Sequence, residues 1–443
     1  MRGKADGPLS GDEDRVERPQ TDGGEASGIN GDASPATGLR RIGAAAGFTG
    51  LRSPFVLLAL MSAAMWLSFS SWWVLIKNFA VEDVGMSGRE IGFQESIREI
   101  PGFLSFLAIY VVLYIREQTF AIISLLLLGL GVAATGYFPS VLGLFITTFI
   151  MSVGFHYYET MSQSLALQWL PKDRAPHLMG RLVAIGAGAQ LAAYAIILAS
   201  WKLFDLSFQT AFLIGGAITL AIALFAWRQF PSFPQKTVQQ KQIVLRRRYW
   251  LFYALTFMSG ARRQIFTVFA SFMMVEKFGY DVQSIAALFL INCLINIVFA
   301  GRVGKLIGIF GEKRALTFEY IGLIGVFITY AFVTSANLAA ALYVIDHAFF
   351  AFAIAIKTYF QKIADPAEIA PSTGVAFTIN HIAAVGIPAA FGLLWLVSPK
   401  AVFLAGAAMA MVSLILCRFV PDDPQEGNET TLSQKTAKLL PAE

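Results

Sequence analysis

Long apolar stretches separated by short polar breaks fill the chain from Pro54 to Val420. A stretch of about 20 apolar residues crosses the roughly 30 Å hydrocarbon core of a bilayer as a helix. Because hydrocarbon offers the backbone no hydrogen-bond partner, each crossing is a helix or a strand of a closed barrel, and runs such as 122–134 lack the alternation of a strand. The pattern predicts an all-α polytopic membrane protein.

We expect twelve transmembrane helices. They run near residues 54–79, 89–115, 118–137, 141–169, 180–200, 208–229, 249–276, 283–303, 314–334, 338–362, 374–397 and 400–419. A polar segment divides them six and six, which predicts two six-helix bundles. The expected regions are a tail at 1–50, bundles at 51–229 and 249–420, a central loop at 230–248 and a second tail at 421–443. The first tail has almost no large apolar side chain, so we expect it to be disordered.

The central loop is strongly basic, with Lys236, Lys241, Arg246, Arg247 and Arg248. Loops rich in lysine and arginine remain cytoplasmic, and counting spans outward from this loop places both termini on its side of the membrane. We therefore expect an integral, multi-pass protein of the plasma (inner) membrane that is surrounded by lipid, with both termini in the cytoplasm. We expect it to be a monomer.

Composition excludes several classes of protein. Charged residues make up 14% of the chain, well below the roughly 25% of soluble domains. Cys293 and Cys417 both lie in apolar segments, which argues against a disulfide framework or a thiolate metal site. The net charge of +5 arises in loops, so it indicates topology and not a nucleic-acid partner. With no P-loop, nucleotide fingerprint or catalytic triad in the sequence, we expect no cofactor, no metal and no ATP-driven or enzymatic activity.

The two halves resemble each other. Pro171 to Pro176 followed by Gly180 comes after the fourth span, and Pro366 to Pro371 followed by Gly374 comes after the tenth. Met61-Ser62-Ala63-Ala64 in the first span likewise parallels Met258-Ser259-Gly260-Ala261 in the seventh. Both matches fit one duplicated six-helix unit.

The segment between the eighth and ninth spans carries the most specific motif. It reads from Gly304 to Leu316 as GKLIGIFGEKRAL. This resembles the Gly-x-Leu-x-Asp-x-x-Gly-x-Lys/Arg loop of the major facilitator superfamily, with glycine where the acidic residue is usual. The resemblance implies two bundles that rock around a central cavity, and a loop that controls this motion through Gly304, Gly308, Gly311, Lys313 and Arg314.

The sequence also departs from the family pattern. The equivalent loop of the first half, at 115–118, retains little of the motif. The fifth span lacks the Gly-Pro pair that marks the proton-coupled drug exporters of the superfamily. Drug export by antiport is therefore disfavoured.

Ionisable side chains within spans are costly, so each one is a candidate for function. In the fourth span, Ser152, His156, Glu159 and Gln163 share one helical stripe. The stripe fits a cavity wall with Glu159 or His156 as a proton site, and it also fits an interhelical hydrogen-bond seam.

The seventh span holds Arg262 and Arg263 near its centre. Adjacent residues diverge by about 100° around a helix, so we expect one arginine to face the cavity and the other a neighbouring helix. The planar guanidinium suits a carboxylate or phosphate of the substrate. The alternative is an ion pair with an acidic side chain such as Glu159 or Glu95.

Other spans supply further candidates. Glu95, Arg98 and Glu99 in the second span form either a coupling site or a local structural cluster. In the first span, Trp66 is deep enough to form an apolar wall, whereas Trp73 and Lys77 fit interface anchors. Asn292 and Asn296 are expected to be mainly structural, and Glu319 lies just inside the ninth span. Lys357 is a substrate candidate that also fits an interfacial position.

We therefore expect a secondary transporter of a small organic solute, with an anionic or zwitterionic one modestly favoured. The resemblance implies coupling to a proton or to the solute's own gradient, and we expect protons. The rival functions are a membrane-embedded enzyme and a non-transporting transceptor or assembly factor. The substrate candidates are Arg262, Arg263, Arg98, Trp66, Lys357, Asn380 and His381. The proton candidates are Glu159, His156, Asp346, His347, Glu95 and Glu99.

Overall fold

A computed structural model describes residues 50–171, 174–234, 245–365 and 368–432. These ranges form twelve helical rods in chain order, here α1 to α12. Nine are single helices: α1 Pro54–Glu82, α3 Glu117–Thr135, α4 Val141–Trp169, α5 Ala175–Ser200, α6 Phe208–Gln229, α8 Val282–Phe310, α9 Glu312–Phe332, α11 Ile369–Val397 and α12 Pro399–Cys417. Three change helix type near their middle: α2 (Gly88–Phe103, Leu104–Leu107, Ala108–Val111), α7 (Trp250–Gln264, Ile265–Ala270, Ser271–Glu276) and α10 (Ala336–Phe350, Ala351–Ala353, Ile354–Ile363). The fold class is thus all-α and polytopic, as the sequence predicts.

Ten of the described rods are long and apolar enough to cross a membrane. The other two are α2 and α7, which carry charged side chains at mid-length and are interrupted. Pro101 precedes the 3-10 turn of α2, where its ring is incompatible with a regular helix. A π-helical segment follows Arg262 and Arg263 in α7, and such segments are frequent at functional sites.

The predicted loop between the eighth and ninth spans is mostly helical, which corrects its expected bounds. Helix α8 continues through Gly304 and Gly308 to Phe310, and the turn consists of Gly311 alone. Gly311 has φ +80°, a conformation that favours glycine. No atom lies within 4 Å of a Cβ built on Gly304 or Gly308, so these two glycines do not serve a close helix contact. Gly304 and Gly308 remain helical, and the helix ends only where Gly311 adopts a positive φ.

The charged residues of the motif, Lys313 and Arg314, lie at the start of α9 near the end of the molecule. Lys313 Nζ lies 3.3 Å from Asp422 Oδ1, and Arg314 is exposed. Residues 421–432, the start of the predicted second tail, pack on the end of the molecule: the Thr431 N–H donates to Phe419 O at 2.9 Å. Residues 1–49, 235–244 and 433–443, which hold the rest of the predicted tails and central loop, lie outside the described residues.

Every even-numbered helix begins after a serine or aspartate. Four of these side chains accept the backbone N–H three residues on at 2.9 to 3.3 Å: Ser140, Ser207, Asp281 and Ser398. Such caps satisfy donors that the helix itself leaves unpaired. These capping residues therefore fix where the even-numbered helices start.

We call α1–α6 the N half and α7–α12 the C half. Helix α3 packs on α4 and α6, and α1 packs on α5 and α6; in the C half α9 packs on α12, and α7 on α11. The halves meet mainly through two helix pairs, α2 with α11 and α5 with α8. These pairs enclose the centre of the molecule from opposite sides.

Contacts between the halves are concentrated toward one end. We call the end where α1 begins the chain-end face and the opposite end the far face. Near the far face, a Cβ on Gly92 of α2 would lie 2.8 Å from Gly392 Cα of α11. Between α5 and α8, Gln283 Nε2 donates to Leu198 O at 3.0 Å, and Lys202 pairs with Asp281 at 2.9 Å.

Toward the chain-end face, the same helices have space between them. Gly180 on α5 and Gly304 and Gly308 on α8 have no atom within 4 Å of an added Cβ. The two halves are therefore packed closely near the far face and loosely near the chain-end face.

Candidate functional site

A chain of buried charges runs along α2. Lys77 Nζ pairs with Glu95 Oε1, and Arg98 Nε donates to Glu95 Oε2 at 2.7 Å. Arg98 also pairs with Glu99 through its terminal nitrogen. Arg98 and Glu99 follow Glu95 on α2 by three and four residues, whereas Lys77 reaches Glu95 from α1. Lys77 is only 2% exposed, so it is part of the protein interior and not an interface anchor as the sequence suggested.

This charged chain crosses from the N half to the C half. The remaining Glu99 oxygen, Oε2, lies 2.9 Å from His381 Nδ1 of α11. His156 of α4 packs edge-on against His381, with ring centroids 5.2 Å apart. Gly102 makes room for both rings, since its Cβ would lie 2.5 Å from His381 and 2.7 Å from His156. His156 and His381, candidates from different halves of the sequence, are therefore neighbours.

Arg263 and Glu159 lie at the edge of this cluster. Arg263 interacts electrostatically with Glu99, Arg98 and Glu159. Its guanidinium makes no hydrogen bond or ion pair with any described residue, and its side chain is partly exposed. We call the whole group the seam cluster; it comprises the cations Lys77, Arg98 and Arg263, the carboxylates Glu95, Glu99 and Glu159, and the imidazoles of His156 and His381. Cations and carboxylates are equal in number, so the cluster is balanced when both histidines are neutral.

Arg262 points into the C half, away from its neighbour. Its guanidinium lies 3.6 Å from Glu319 of α9 and over the ring of Tyr320, 4.4 Å from the ring centroid. Asp346 of α10 interacts electrostatically with both Arg262 and Glu319. Arg262, Glu319 and Asp346, which we call the C-half cluster, are 3%, 0% and 2% exposed.

The C-half cluster is unbalanced. It holds two carboxylates and one guanidinium, and neither Glu319 oxygen has a hydrogen-bond partner among the described residues. An isolated carboxylate in such surroundings becomes neutral by binding a proton, because burial of an uncompensated charge is too costly. The cluster can therefore hold a proton. From the sequence, Glu319 is expected only to lie just inside the ninth span, and it is not predicted to be a proton site.

A cavity of about 280 Å³ lies between the halves, adjacent to both clusters. Its aromatic lining consists of Trp73, Tyr194, Phe266, Phe289 and Tyr343. Its polar lining consists of Gln190, Thr267, Asn292, Asn296 and His347, with Cys293 beside them. These side chains come from α1, α5, α7, α8 and α10, so both halves contribute to the wall.

Most of the cavity lining was not expected from the sequence. Trp73 fitted an interface anchor and the two asparagines fitted helix contacts, but all three line the cavity. Trp73 also separates the cavity from the seam cluster, since the Arg98 guanidinium lies 5.1 Å from its ring centroid. The sequence does not show whether an aromatic residue in an apolar span faces a cavity, lipid or another helix, because every face of such a span is apolar.

The remaining candidates lie elsewhere. Trp66 packs in the N half against Phe69 and Phe155 at centroid distances of 6.1 and 6.4 Å. Asn380 of α11 lies against Gly260 of α7, with its oxygen where a Cβ would be. Lys357 is exposed near the chain-end face, in keeping with an interfacial position.

The polar stripe of α4 shows how the centre connects with solvent. Ser152 and His156 are 1% and 4% exposed, Glu159 is intermediate and Gln163 is exposed. Exposure therefore increases along the stripe from the middle of the molecule toward the chain-end face. The polar centre opens toward that face.

The sequence and the fold were compared with known proteins. The profile described as Major Facilitator Superfamily matches residues 58–388, which is more than half of the chain. No curated protein matches the sequence.

Solved structures share the fold at low identity. A mutant of the nucleoside transporter NupG has a TM-score of 0.70 at 16% identity, covering 82% of this chain and 99% of that chain. A bacterial homolog of the human lysosomal transporter Spinster, inward-facing and occupied, has a TM-score of 0.61 at 13% identity, covering 88% and 98%. A POT family transporter in complex with a thioalcohol-conjugated peptide has a TM-score of 0.66 at 13% identity, covering 82% and 94%. By its sequence profile and its transporter fold, this chain belongs to the major facilitator superfamily.

Proposed function

We propose that this chain is a secondary transporter that carries a small organic solute across the membrane by alternating access. One observation supports the proposal above all: the halves pack tightly near the far face, whereas the polar stripe of α4 opens toward the chain-end face. A carrier that rocks around a central site has two end states, each open to one side. The described conformation fits one of them.

The Glu99–His381 contact is the proposed latch between the halves. Opening the far face requires α2 to move away from α11, which separates these two buried side chains. Separating them removes a hydrogen bond from a buried carboxylate, which is unfavourable unless another group takes its place. Water, a proton or the solute must therefore offset this cost in the other end state.

The coupling proton is proposed to reside in the C-half cluster, on Asp346 or Glu319. This cluster has one carboxylate more than its single guanidinium can neutralise. Asp346 also lies on α10 between Tyr343 and His347, which both line the cavity. A change of charge at Asp346 can thus act directly on the wall of the proposed solute site.

Glu159 is the alternative proton site. It lies on the stripe that opens to the chain-end face, and it makes no hydrogen bond or ion pair with the described residues. In the seam cluster, however, the carboxylates are matched in number by the cations Lys77, Arg98 and Arg263. The excess carboxylate favours the C-half cluster over Glu159.

The fold does not identify the solute. Similar structures are those of a nucleoside transporter and of a POT family transporter that binds a modified peptide. The unpaired guanidinium of Arg263 is the one arginine group left among the candidates that could attract a negatively charged solute, but Arg263 does not line the cavity between the halves. Arg98 and Arg262, the other two arginine candidates, are engaged with carboxylates of the protein.

Flux into proteoliposomes tests the proposed function. Purified protein is reconstituted, and uptake of labelled nucleosides, dipeptides and monocarboxylates is compared with empty vesicles, with and without a pH gradient. We expect gradient-driven accumulation of one class of solute. Asp346→Asn should lose this accumulation yet retain solute exchange, because a permanently neutral side chain cannot carry the proton.

The matched control is Asp205→Asn, which changes an exposed carboxylate in the loop between α5 and α6 and should behave like the wild type. Loss of accumulation in Glu159→Gln instead of Asp346→Asn would move the proton to the seam cluster. Flux equal to empty vesicles for every solute would reject transport and favour a transceptor, an assembly factor or an enzyme.

A further inference from the structure

We infer that the cavity between the halves binds an uncharged solute that contains a planar heteroaromatic ring, of the nucleobase or nucleoside class. The inference rests on the proposed transport function, since it takes this cavity as the solute site. It is drawn from three properties of the cavity: its aromatic walls, an unpaired amide and the absence of charge from the described lining.

The aromatic walls provide flat surfaces from both halves. Phe289 and Tyr343 are nearly parallel, with an interplanar angle of 18° and centroids 6.0 Å apart. Phe266 lies 4.7 Å from Tyr343, and Tyr194 lies 5.6 Å from Phe289. Trp73 of the N half completes the lining. Such surfaces stack on planar rings, and every nucleobase has a π-face suited to them.

Asn292 supplies an unsatisfied hydrogen-bonding group in this apolar wall. The side chain is 4% exposed, and its Oδ1 has no hydrogen-bond partner among the described residues. Its Nδ2 makes no hydrogen bond with them either. A buried amide without partners is costly, which makes a ligand that satisfies it strongly preferred. The amide offers one acceptor and a donor, which complement the alternating donors and acceptors on the edge of a heteroaromatic ring.

Other polar side chains near Asn292 could also form hydrogen bonds with the edge of the ring. Asn296 Nδ2 lies 3.2 Å from His347 Nε2, and Gln190 Nε2 donates to Tyr194 Oη at 3.1 Å. Asn296 lies one helical turn from Asn292, so the two amides face the same side of α8. A ring stacked on one of these aromatic surfaces can therefore meet several neutral hydrogen-bonding groups at its rim.

The charges of the centre lie behind this lining. None of the described residues that line the cavity is a lysine, arginine, aspartate or glutamate. Arg98 and Lys77 lie over the ring of Trp73, at 5.1 and 5.8 Å from its centroid. A charged solute would be desolvated here without a paired counter-ion, which is unfavourable. The cavity thus favours a neutral solute over the anion that the arginines suggested from sequence.

The size of the cavity narrows the class. At about 280 Å³, it is slightly smaller than the roughly 300–1,000 Å³ typical of ligand pockets. One heteroaromatic ring system with a small polar substituent suits this volume better than an extended peptide or a lipid.

Cys293 provides a native reporter, because it lines the cavity whereas Cys417 is 0% exposed. The full-length protein, with Cys417→Ser to leave a single thiol, is treated with N-ethylmaleimide, and alkylation is followed by mass spectrometry. Uridine and adenosine should slow the reaction at least fivefold in a saturable manner. Ribose, which lacks the ring, and benzoate, inorganic phosphate and uridine monophosphate, which carry negative charge, should not.

Asn292→Ala should abolish the protection by uridine, whereas Asn337→Ala, which removes an exposed amide at the start of α10, should leave it unchanged. Thermal stabilisation by the same compounds is the second readout. It replaces the alkylation assay if Cys293 proves unreactive. Protection by benzoate or phosphate alone, or by none of the ring compounds, would overturn the inference.

The two proposals fail separately. Protection by uridine without any flux in proteoliposomes would support the solute class and reject transport. Flux of another solute, without protection by uridine or adenosine, would retain transport and reject the solute class.

Discussion

At the scale of single residues, Arg262 and Arg263 show how neighbours in sequence acquire different surroundings. The helical period places them about 100° apart, so sequence predicts that they diverge. Arg262 reaches Glu319 in the C half, and Arg263 reaches the seam cluster. The sequence offered Glu159, which interacts electrostatically with Arg263, but it gave no indication that Glu319 is the partner of Arg262.

Outside the membrane-spanning segments, Glu368 also has several partners. It precedes α11 and accepts a hydrogen bond from Tyr249 Oη at 2.8 Å and from Arg248 Nε at 3.1 Å. Arg246 Nε lies 2.8 Å from its other oxygen. The Tyr249 hydrogen bond, followed by Arg248, lowers the pKa of the Glu368 carboxyl.

This shift predicts a pH dependence of stability. Because the folded pKa is lowered, the contribution of Glu368 is complete above the unfolded glutamate pKa of about 4.3 and is lost as pH falls through the folded pKa. Glu368→Gln should therefore lower the melting temperature at neutral pH, and the difference from wild type should vanish in acid. Thermal unfolding of both proteins from neutral to acidic pH measures this, with Asp423→Asn as an exposed control. A difference that is the same at every pH would contradict the prediction.

At the scale of elements, α2 and α11 pack closely because small residues face each other. A Cβ on Gly92 would overlap Pro388 O, and one on Gly88 would overlap Trp395. The contact lies near the far face, where the two halves are closed. The approach of these two helices is therefore a property of glycine positions and not of hydrophobic pattern.

Gly92→Ala should open the far face. The added methyl group cannot fit against the α11 backbone, so the equilibrium should shift toward a state in which α2 and α11 are separated. Spin labels at Arg89 and Val397, which are exposed, would report a longer distance in a background without native cysteines. Gly180→Ala, where the added methyl group meets open space, should leave the distance unchanged. An unaltered distance in a well-folded Gly92→Ala protein would show that this contact does not hold the halves closed.

At the scale of the whole molecule, the arrangement has a direction, with a closed far face and a chain-end face toward which the polar centre opens. We propose that the chain-end face is cytoplasmic, because the basic residues of the 230–248 segment lie on that side of the span count. On this assignment the described conformation is open to the cytoplasm. The direction of solute movement follows from the gradient and not from this geometry.

Cysteine labelling of intact cells tests the orientation. In a background without native cysteines, a membrane-impermeant maleimide should label a cysteine at Thr334, next to Ser335, and miss one at Gln240. The reason is that Thr334 lies in the turn between α9 and α10 on the far face, whereas Gln240 lies in the basic segment. Labelling of Gln240 alone, from outside, would reverse the proposed topology.

The sequence by itself determined the class of protein and most helix positions. The length of an apolar stretch determines whether it can cross a membrane. This property is local, so spans can be predicted without knowing which helices they contact. The exception was the segment at 304–313, where glycines suggested a loop but α8 continues to Phe310. The motif in that segment was still sufficient to indicate the superfamily, which the profile match confirms.

Tertiary structure alone decided which polar residues meet. His381 joins Glu99, Lys77 joins Glu95, and Asn292 faces a cavity walled by aromatic residues of both halves. In a membrane helix all faces are apolar, so periodicity does not distinguish a cavity wall from a lipid surface or a helix contact. Helix rotation, helix breaks and glycine contacts fix those faces, and they depend on neighbours that are distant in the sequence.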